Sequence, residues 1–299
     1  MFNKFNKNKE VENWWNENPF TFGAAKNDYG KHDQVGKVEE GKMDLKYFNE
    51  VEKRWRKHSR GGGQEDGAPI LSKLVNYDWL KGKDVLDIAV GSGFSLVSFA
   101  KGGARVTGID ITDYAVLESE KNLELRNLAG IVLKMDAQSL SFDDNSFDFV
   151  NAWGCLMHMP DTAGAIREIY RVTKHGGRTL AYMYNKSSWP FWFNLILLKG
   201  IVLGGLVRFR GDITRLASRY SDGYTTGGNP LTKFYKPKDV ENMFRAAGFK
   251  TVEAYPWDLP YEPDGWPLRI FPVFKYLPRK IKAYMSKHWG YGLIVKAQK

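Results

Sequence analysis

One cysteine, Cys155, stands in the whole 299-residue chain, which excludes an internal disulfide, a thiolate zinc cluster and an iron–sulfur centre built by this chain alone. No other set of side chains has metal-ligand spacing, so no metal is expected. A reducing compartment fits the cysteine usage, and the polar start MFNKFNKNKEVENWW lacks the apolar stretch of a secretory signal. The expected location is the cytoplasm. Long hydrophobic runs are missing too: the most apolar segment, PFWFNLILLKGIVLGGLV at 190–207, is broken by Lys199 and falls short of the roughly 20 residues a spanning helix needs. It reads as a lid or core helix. Acidic residues are absent from 268–299, where basic residues alternate with aromatics, and the chain carries 44 Lys and Arg against 34 Asp and Glu for a net charge of +10. That excess fits a solvated basic face, an anionic acceptor or weak contact with an anionic membrane surface. No appended RNA-binding module or base-flipping motif is recognisable, so nucleic acid is not the expected partner.

What is present is enough to build a core, since 43% of the residues are hydrophobic. Residues 1–68 are aromatic, polar and glycine-punctuated, and end in the flexible-looking RGGGQEDGAP. Beyond them, short β-rich runs at 84–89, 105–110, 131–135, 147–152 and 178–184 alternate with amphipathic stretches at 93–101, 113–127 and 161–173, the pattern of a parallel sheet wrapped by helices. Asp161 is placed to cap the last of these helices and KHGG at 174–177 to stop it. After an irregular stretch, KPKDVENMFRAAGF reads as a capped helix with Pro237 near its start and Gly248 at its end, followed by strands at 250–255 and 291–299. The domain limits expected are a cap at 1–68 and a core at 69–299, with insertions at about 186–233 and 256–288.

The turn in VLDIAVGSG at 85–93 fails both phosphate-binding fingerprints. In either frame the third glycine of G-x-G-x-x-G is Phe94 or Leu96, and no Gly-Lys-Ser/Thr follows. A ligand with an adenosine and a charged amino-acid tail but no phosphates asks instead for a close turn and carboxylates along the sheet. Asp87 ends the first strand beside the turn, where it can attract an ammonium. Asp110 closes the second strand at the place from which an acid bonds ribose hydroxyls. Asp136, in KMDAQSL, is placed to accept from an adenine amine.

VLDIAVGSG, GIDIT, KMDAQSLSFDDNSFDFV, NAWGCLMHMPD and REIYRVTKHGGRTLAYMY, in that order, resemble the class I S-adenosylmethionine-dependent methyltransferases of the type 11/25 kind, over roughly 70–185 with further likeness through 233–255 and the final strand. The resemblance implies an α/β, Rossmann-like doubly wound fold. Its seven-stranded sheet would have an antiparallel last strand, with the N-terminal aromatic segment as a cap and both insertions on the substrate side. It implies S-adenosylmethionine as cofactor, S-adenosylhomocysteine as product, and contacts from Asp87, Ala89, Gly91, Gly93, Asp110, Ile111, Asp136, Ala137 and Trp153. Ala89 departs from the family's usual glycine and Val90 from its frequent cysteine; a methyl group at 89 would narrow the turn or demand φ below zero.

Methyl transfer from a sulfonium is an in-line displacement that needs alignment, water exclusion and sometimes a base. His158, after the fourth strand, is the base candidate, and Tyr184 at the end of the fifth strand is the second catalytic candidate. Asn151 and Tyr182 belong to the same strand ends. Trp14 and Trp15 could close over a substrate, or simply pack a helix on the core. Arg215 and Tyr224 are drawn from the insertion on the strength of its mixed arginines and aromatics. The expected acceptor is a small anionic or aromatic metabolite methylated on O or N. An RNA-modifying or lipid-directed enzyme is the alternative, and a nonenzymatic cofactor-binding protein stands behind both.

Overall fold

A computed structural model describes residues 2–22, 24, 35–58, 67–223, 226–257 and 278–299. Tyr224, one of the expected substrate contacts, lies outside them, as do most of the insertion at 256–288 and the 59–66 part of the junction. Seven strands form one sheet: β1 (Asp84–Ile88), β2 (Arg105–Asp110), β3 (Ile131–Lys134), β4 (Phe147–Trp153), β5 (Thr173–Tyr184), β6 (Thr251–Trp257) and β7 (Gly292–Gln298). Their order is β3-β2-β1-β4-β5-β7-β6. The first five run parallel, and β7 lies antiparallel between β5 and β6. The expected fold class is borne out.

The helices are α1 (Phe2–Glu17), α2 (Leu45–His58), α3 (Tyr77–Leu80), α4 (Phe94–Lys101), α5 (Asp113–Leu125), α6 (Thr162–Val172), α7 (Gly205–Arg208), α8 (Ile213–Tyr220), α9 (Pro237–Ala247) and α10 (Arg279–Trp289). A π-helix, Pro190–Val202, opens the insertion after β5.

The middle strands are mainly apolar because both faces of the sheet are covered. In β1, Val85 joins a core with Leu96, Phe99, Phe149 and Ile294, while its neighbours Leu86 and Ile88 join the opposite core with Val150, Ile166, Ile169 and Phe244. Alternate residues thus feed opposite layers.

Local signals set the helix ends. Asp161 accepts from the Gly164 N–H at 2.8 Å and caps α6. Thr112 accepts from the Ala115 N–H at 3.2 Å and caps α5. Pro237 opens α9, and Gly248 at φ 117° ends it, under a Tyr170 ring that a Cβ would meet at 2.6 Å. The stretch KHGG behaves differently from the expected helix stop. Helix α6 is finished at Val172, and 173–177 is the irregular start of β5, where the pairing with β4 slips between Phe147 and Phe149. Lys174 does not face the helix end. Its Nζ reaches Asp84 at 2.7 Å and Asp148 at 2.9 Å, tying together the amino ends of β1, β4 and β5.

Candidate active site

The turn after β1 is the floor of the site. Ala89, Gly91 and Gly93 have φ of 57°, 53° and 73°, so three left-handed residues within five positions reverse the chain into α4. Glycine enters this region freely, whereas a residue with a Cβ gives up about 1 kcal/mol or more. The expectation that Ala89 needs φ below zero is therefore overturned: Ala89 adopts the glycine-like conformation and carries the strain. Replacing Ala89 by Gly is expected to stabilise the protein by about 1 kcal/mol, seen as a rise of a few degrees in Tm, and to keep cofactor affinity within about tenfold. A lower Tm in calorimetry would show that the methyl group contributes more by packing than it costs.

Three acids stand along the carboxyl edge of the sheet. Asp87 is buried, accepting from the Ser95 hydroxyl at 2.6 Å and the Asn151 amide at 2.7 Å. Asp110 accepts from the Thr112 N–H at 3.0 Å and hydroxyl at 2.9 Å on Oδ1, and receives a long bond of 3.3 Å from the Gly91 N–H on Oδ2. Asp136 accepts from the Gln138 N–H at 2.9 Å and from the Asn8 amide of α1 at 2.9 Å.

Burial pushes Asp87 up to about 6 and raises Asp110 as well, against the bonds that each accepts. Desolvation is the leading cause in both, so a ligand's ammonium or hydroxyls would favour the charged forms.

All three line a cavity of about 780 Å³ that continues past β4 and β5 to Trp153, His158, Tyr182, Tyr184 and Tyr291. Trp153 and Tyr182 stack with ring centroids 4.8 Å apart. Helix α1 roofs the space with Asn8, Val11 and Trp15, and the Trp15 ring stands edge-on to His158 at 5.2 Å. At the far end His158 Nδ1 lies 2.8 Å from the Leu231 carbonyl oxygen, and Nε2 lies 3.3 Å from Asp222 Oδ2. The Tyr184 hydroxyl donates to the same carboxylate at 2.9 Å. Burial, and then the charge of Asp222 beside it, hold the Tyr184 phenol well above its ordinary value, so Tyr184 is a donor here and not a base.

A family model described as a methyltransferase domain matches residues 86–181, the span from β1 to β5 that carries the turn and the acids. Residues 86–181 carry a methyltransferase domain, and the chain is an S-adenosylmethionine-dependent methyltransferase similar to the class I enzymes. A demethylmenaquinone methyltransferase of Geobacillus stearothermophilus is 29% identical over 181 residues, 59% of this chain and 75% of the relative. A ubiquinone biosynthesis O-methyltransferase of Nitrosospira multiformis is 27% identical over 226 residues, 75% of this chain and 87% of the relative. A solved S-adenosylmethionine-dependent methyltransferase of Methanosarcina mazei shares the fold with a TM-score of 0.53 at 21% identity, covering 77% of this chain and 97% of that one.

The methyltransferase gathers most of the expected cofactor set on its cavity wall: Asp87, Ala89, Gly91, Asp110, Ile111, Asp136, Ala137 and Trp153. Gly93 is not on that wall. It starts α4 against Ser119, whose Cα a Cβ would meet at 3.1 Å. Of the expected acceptor contacts, Trp15 and Tyr182 line the cavity and three others do not. Asn151 is wholly buried and holds Asp87. Trp14 lies against Gly223 behind the wall. Arg215 is exposed on α8, 3.7 Å from Asp212. Reading by sequence also missed Asn8, Asp222, Lys199 and Tyr291, which line the cavity from distant parts of the chain.

The raised Asp87 gives the methyltransferase a pH signature. Its folded value lies above the unfolded value near 4, so the ionised form costs stability, a cost absent below about pH 4 and complete above about pH 6. A bound ammonium would offset that cost and draw the proton off. Affinity for S-adenosylmethionine is thus expected to weaken by up to tenfold per pH unit below 6, and to be flat in Asp87→Asn. Titration calorimetry at pH 5 and 7.5 checks both, and a flat wild-type profile would remove Asp87 from the cofactor's tail.

Proposed function

We propose that this methyltransferase acts on a hydroxyl of a small aromatic or largely apolar acceptor, with Asp222 taking the proton. The observation that carries this reading is the Asp222, His158 and Tyr184 cluster set in a wall that also holds the aromatic rings of Trp15, Trp153, Tyr182 and Tyr291. The carbonyl oxygen of Leu231 only accepts, so the His158 Nδ1 facing it carries a hydrogen, and Nε2 faces a carboxylate. Both ring nitrogens are committed to protein partners, which argues against His158 as the free base and for a role in orienting Asp222. With the Tyr184 hydroxyl as a further donor, the carboxylate is oriented toward the cavity as the proton acceptor.

The cofactor supplies an electrophilic sulfonium methyl. Asp87, Asp110 and Asp136, with the turn at Ala89 and Gly91, would hold it at the sheet edge; Trp15 and the rest of α1 exclude water over it. The acceptor's hydroxyl would attack that methyl group, and Asp222 would take the hydroxyl proton. Lys199, whose Nζ stands 5.2 Å over the Tyr220 ring, offers a cation for an anionic substituent on the acceptor. The names of the relatives, which concern demethylmenaquinone and ubiquinone biosynthesis, support a small-molecule acceptor. Among the described residues no helix is long and apolar enough to cross a membrane, and the cytoplasm is the location we propose.

Transfer of labelled methyl from S-adenosylmethionine to a panel of phenols, hydroxylated apolar compounds, primary amines and short RNAs tests the reading. Label in the hydroxyl compounds is expected. Label confined to amines or RNA would overturn it.

A further inference from the structure

The π-helix Pro190–Val202 and the turns after it divide their residues three ways. Phe191 and Leu195 pack inward with Leu216 and Ala217 into a small core of their own. Asn194, Leu198 and Lys199 line the cavity. Ile196 and Leu206 pack against that core as well, but other apolar residues point out: Trp192 is 51% exposed, Ile201 61%, Val202 65%, Leu203 58% and Val207 84%. A cluster of large exposed apolar side chains, here on the end of the π-helix, the turn after it and α7, marks an interaction surface.

The charges around it are one-sided. From Lys186 to Tyr220 the single acid is Asp212, against Lys186, Lys199, Arg208, Arg210, Arg215 and Arg219. Arg208, Arg210 and Arg215 are exposed in the turns and helix that flank the apolar face. Apolar and aromatic side chains rimmed by arginines, on an element that does not span a bilayer, match a segment lying in the plane of an anionic lipid surface: the side chains enter the acyl boundary and the cations meet the headgroups.

We infer that this face docks the enzyme on an anionic phospholipid bilayer, setting the part of the cavity wall formed by Leu198 and Lys199 beside the membrane. A second copy of the chain would bury the apolar residues equally well but would bring like charges together at the rim. The charge pattern therefore favours lipid. The inference rests on the insertion alone and stands whether the acceptor bears a hydroxyl or an amine.

Flotation of the full chain with vesicles of phosphatidylcholine, with and without about one-third phosphatidylglycerol, tests it. The wild type is expected to float with the anionic vesicles, less so at high salt, and weakly with phosphatidylcholine alone. Ile201→Ser, Val202→Ser and Val207→Ser together are expected to reduce partitioning by at least about tenfold. These residues are exposed, so the triple variant should keep its Tm and its affinity for S-adenosylmethionine, which separates lost docking from lost folding. The inference fails if the wild type does not float, if the triple variant floats as well as the wild type, or if light scattering shows a wild-type dimer that the triple variant dissolves without any lipid binding by either.

Discussion

Asp110→Ala is expected to weaken S-adenosylmethionine binding by at least about 100-fold, the largest loss from any single change on the cofactor side. The carboxylate sits at the end of β2, is 8% exposed, and already accepts two good bonds on Oδ1. Its Oδ2 has a 3.3 Å bond from the Gly91 N–H, and Asp110 lines the cavity, where the two ribose hydroxyls would donate to it. Charge-assisted bonds contribute about 1.5–3 kcal/mol each, and two of them lost amount to a factor of a hundred or more. The same side chain fixes Thr112 and hence the start of α5, so alanine also loosens the turn. Asp110→Asn separates the two effects. The amide can still accept from Thr112 but carries no charge, and it should lose less affinity than alanine while holding Tm. Equal binding of the cofactor by wild type and alanine variant in titration calorimetry would remove Asp110 from the ribose assignment.

How far the sequence disclosed this architecture depends on the range of the signal. The strand ends, the turn at 85–93 and the three acids lie within one stretch of alternating β and α elements, where period and punctuation are local and the order of motifs fixes their neighbours. KHGG was misread for a local reason as well: a basic residue followed by glycines suits a helix end, yet Lys174 is held by Asp84 and Asp148 across the sheet, contacts that sequence spacing does not reveal. The acceptor end was barely legible. Asp222 comes from the insertion, His158 from the β4–α6 connection, Tyr291 from just before β7 and Trp15 from α1, and no periodicity links four segments so far apart. Arg215 and Trp14 were chosen by residue type, and type alone does not say which side of a helix meets the cavity. A usable hint was present at 222: an acid between Ser221 and Gly223, in a stretch of the insertion rich in turn residues, is a position where function concentrates.

Asp222→Asn is expected to lower kcat by about 10²–10⁴-fold while leaving the affinity for S-adenosylmethionine within a few-fold of wild type, because general-base contributions have that size and the cofactor's acids lie at the other end of the cavity. Asparagine keeps the shape of the carboxylate and can still accept from the Tyr184 hydroxyl, which isolates the loss of charge from any loss of packing. Tyr184→Phe removes that donor but leaves the carboxylate, so a smaller fall, of about tenfold, is expected. His158→Ala leaves Asp222 without its imidazole partner in a site that is largely closed to water, since the two side chains are 7% and 13% exposed, and its effect should approach that of Asp222→Asn. The double variant then distinguishes a unit from two independent contributors: if His158 acts through Asp222, removing both costs little more than removing either. The acceptor's acidity supplies a second axis. A more acidic hydroxyl needs less help in losing its proton, so the penalty of Asp222→Asn should shrink along a series of increasingly acidic phenols under the same alignment. A penalty that stays constant across the series would show Asp222 to be an orienting group for the acceptor, with proton removal left to solvent.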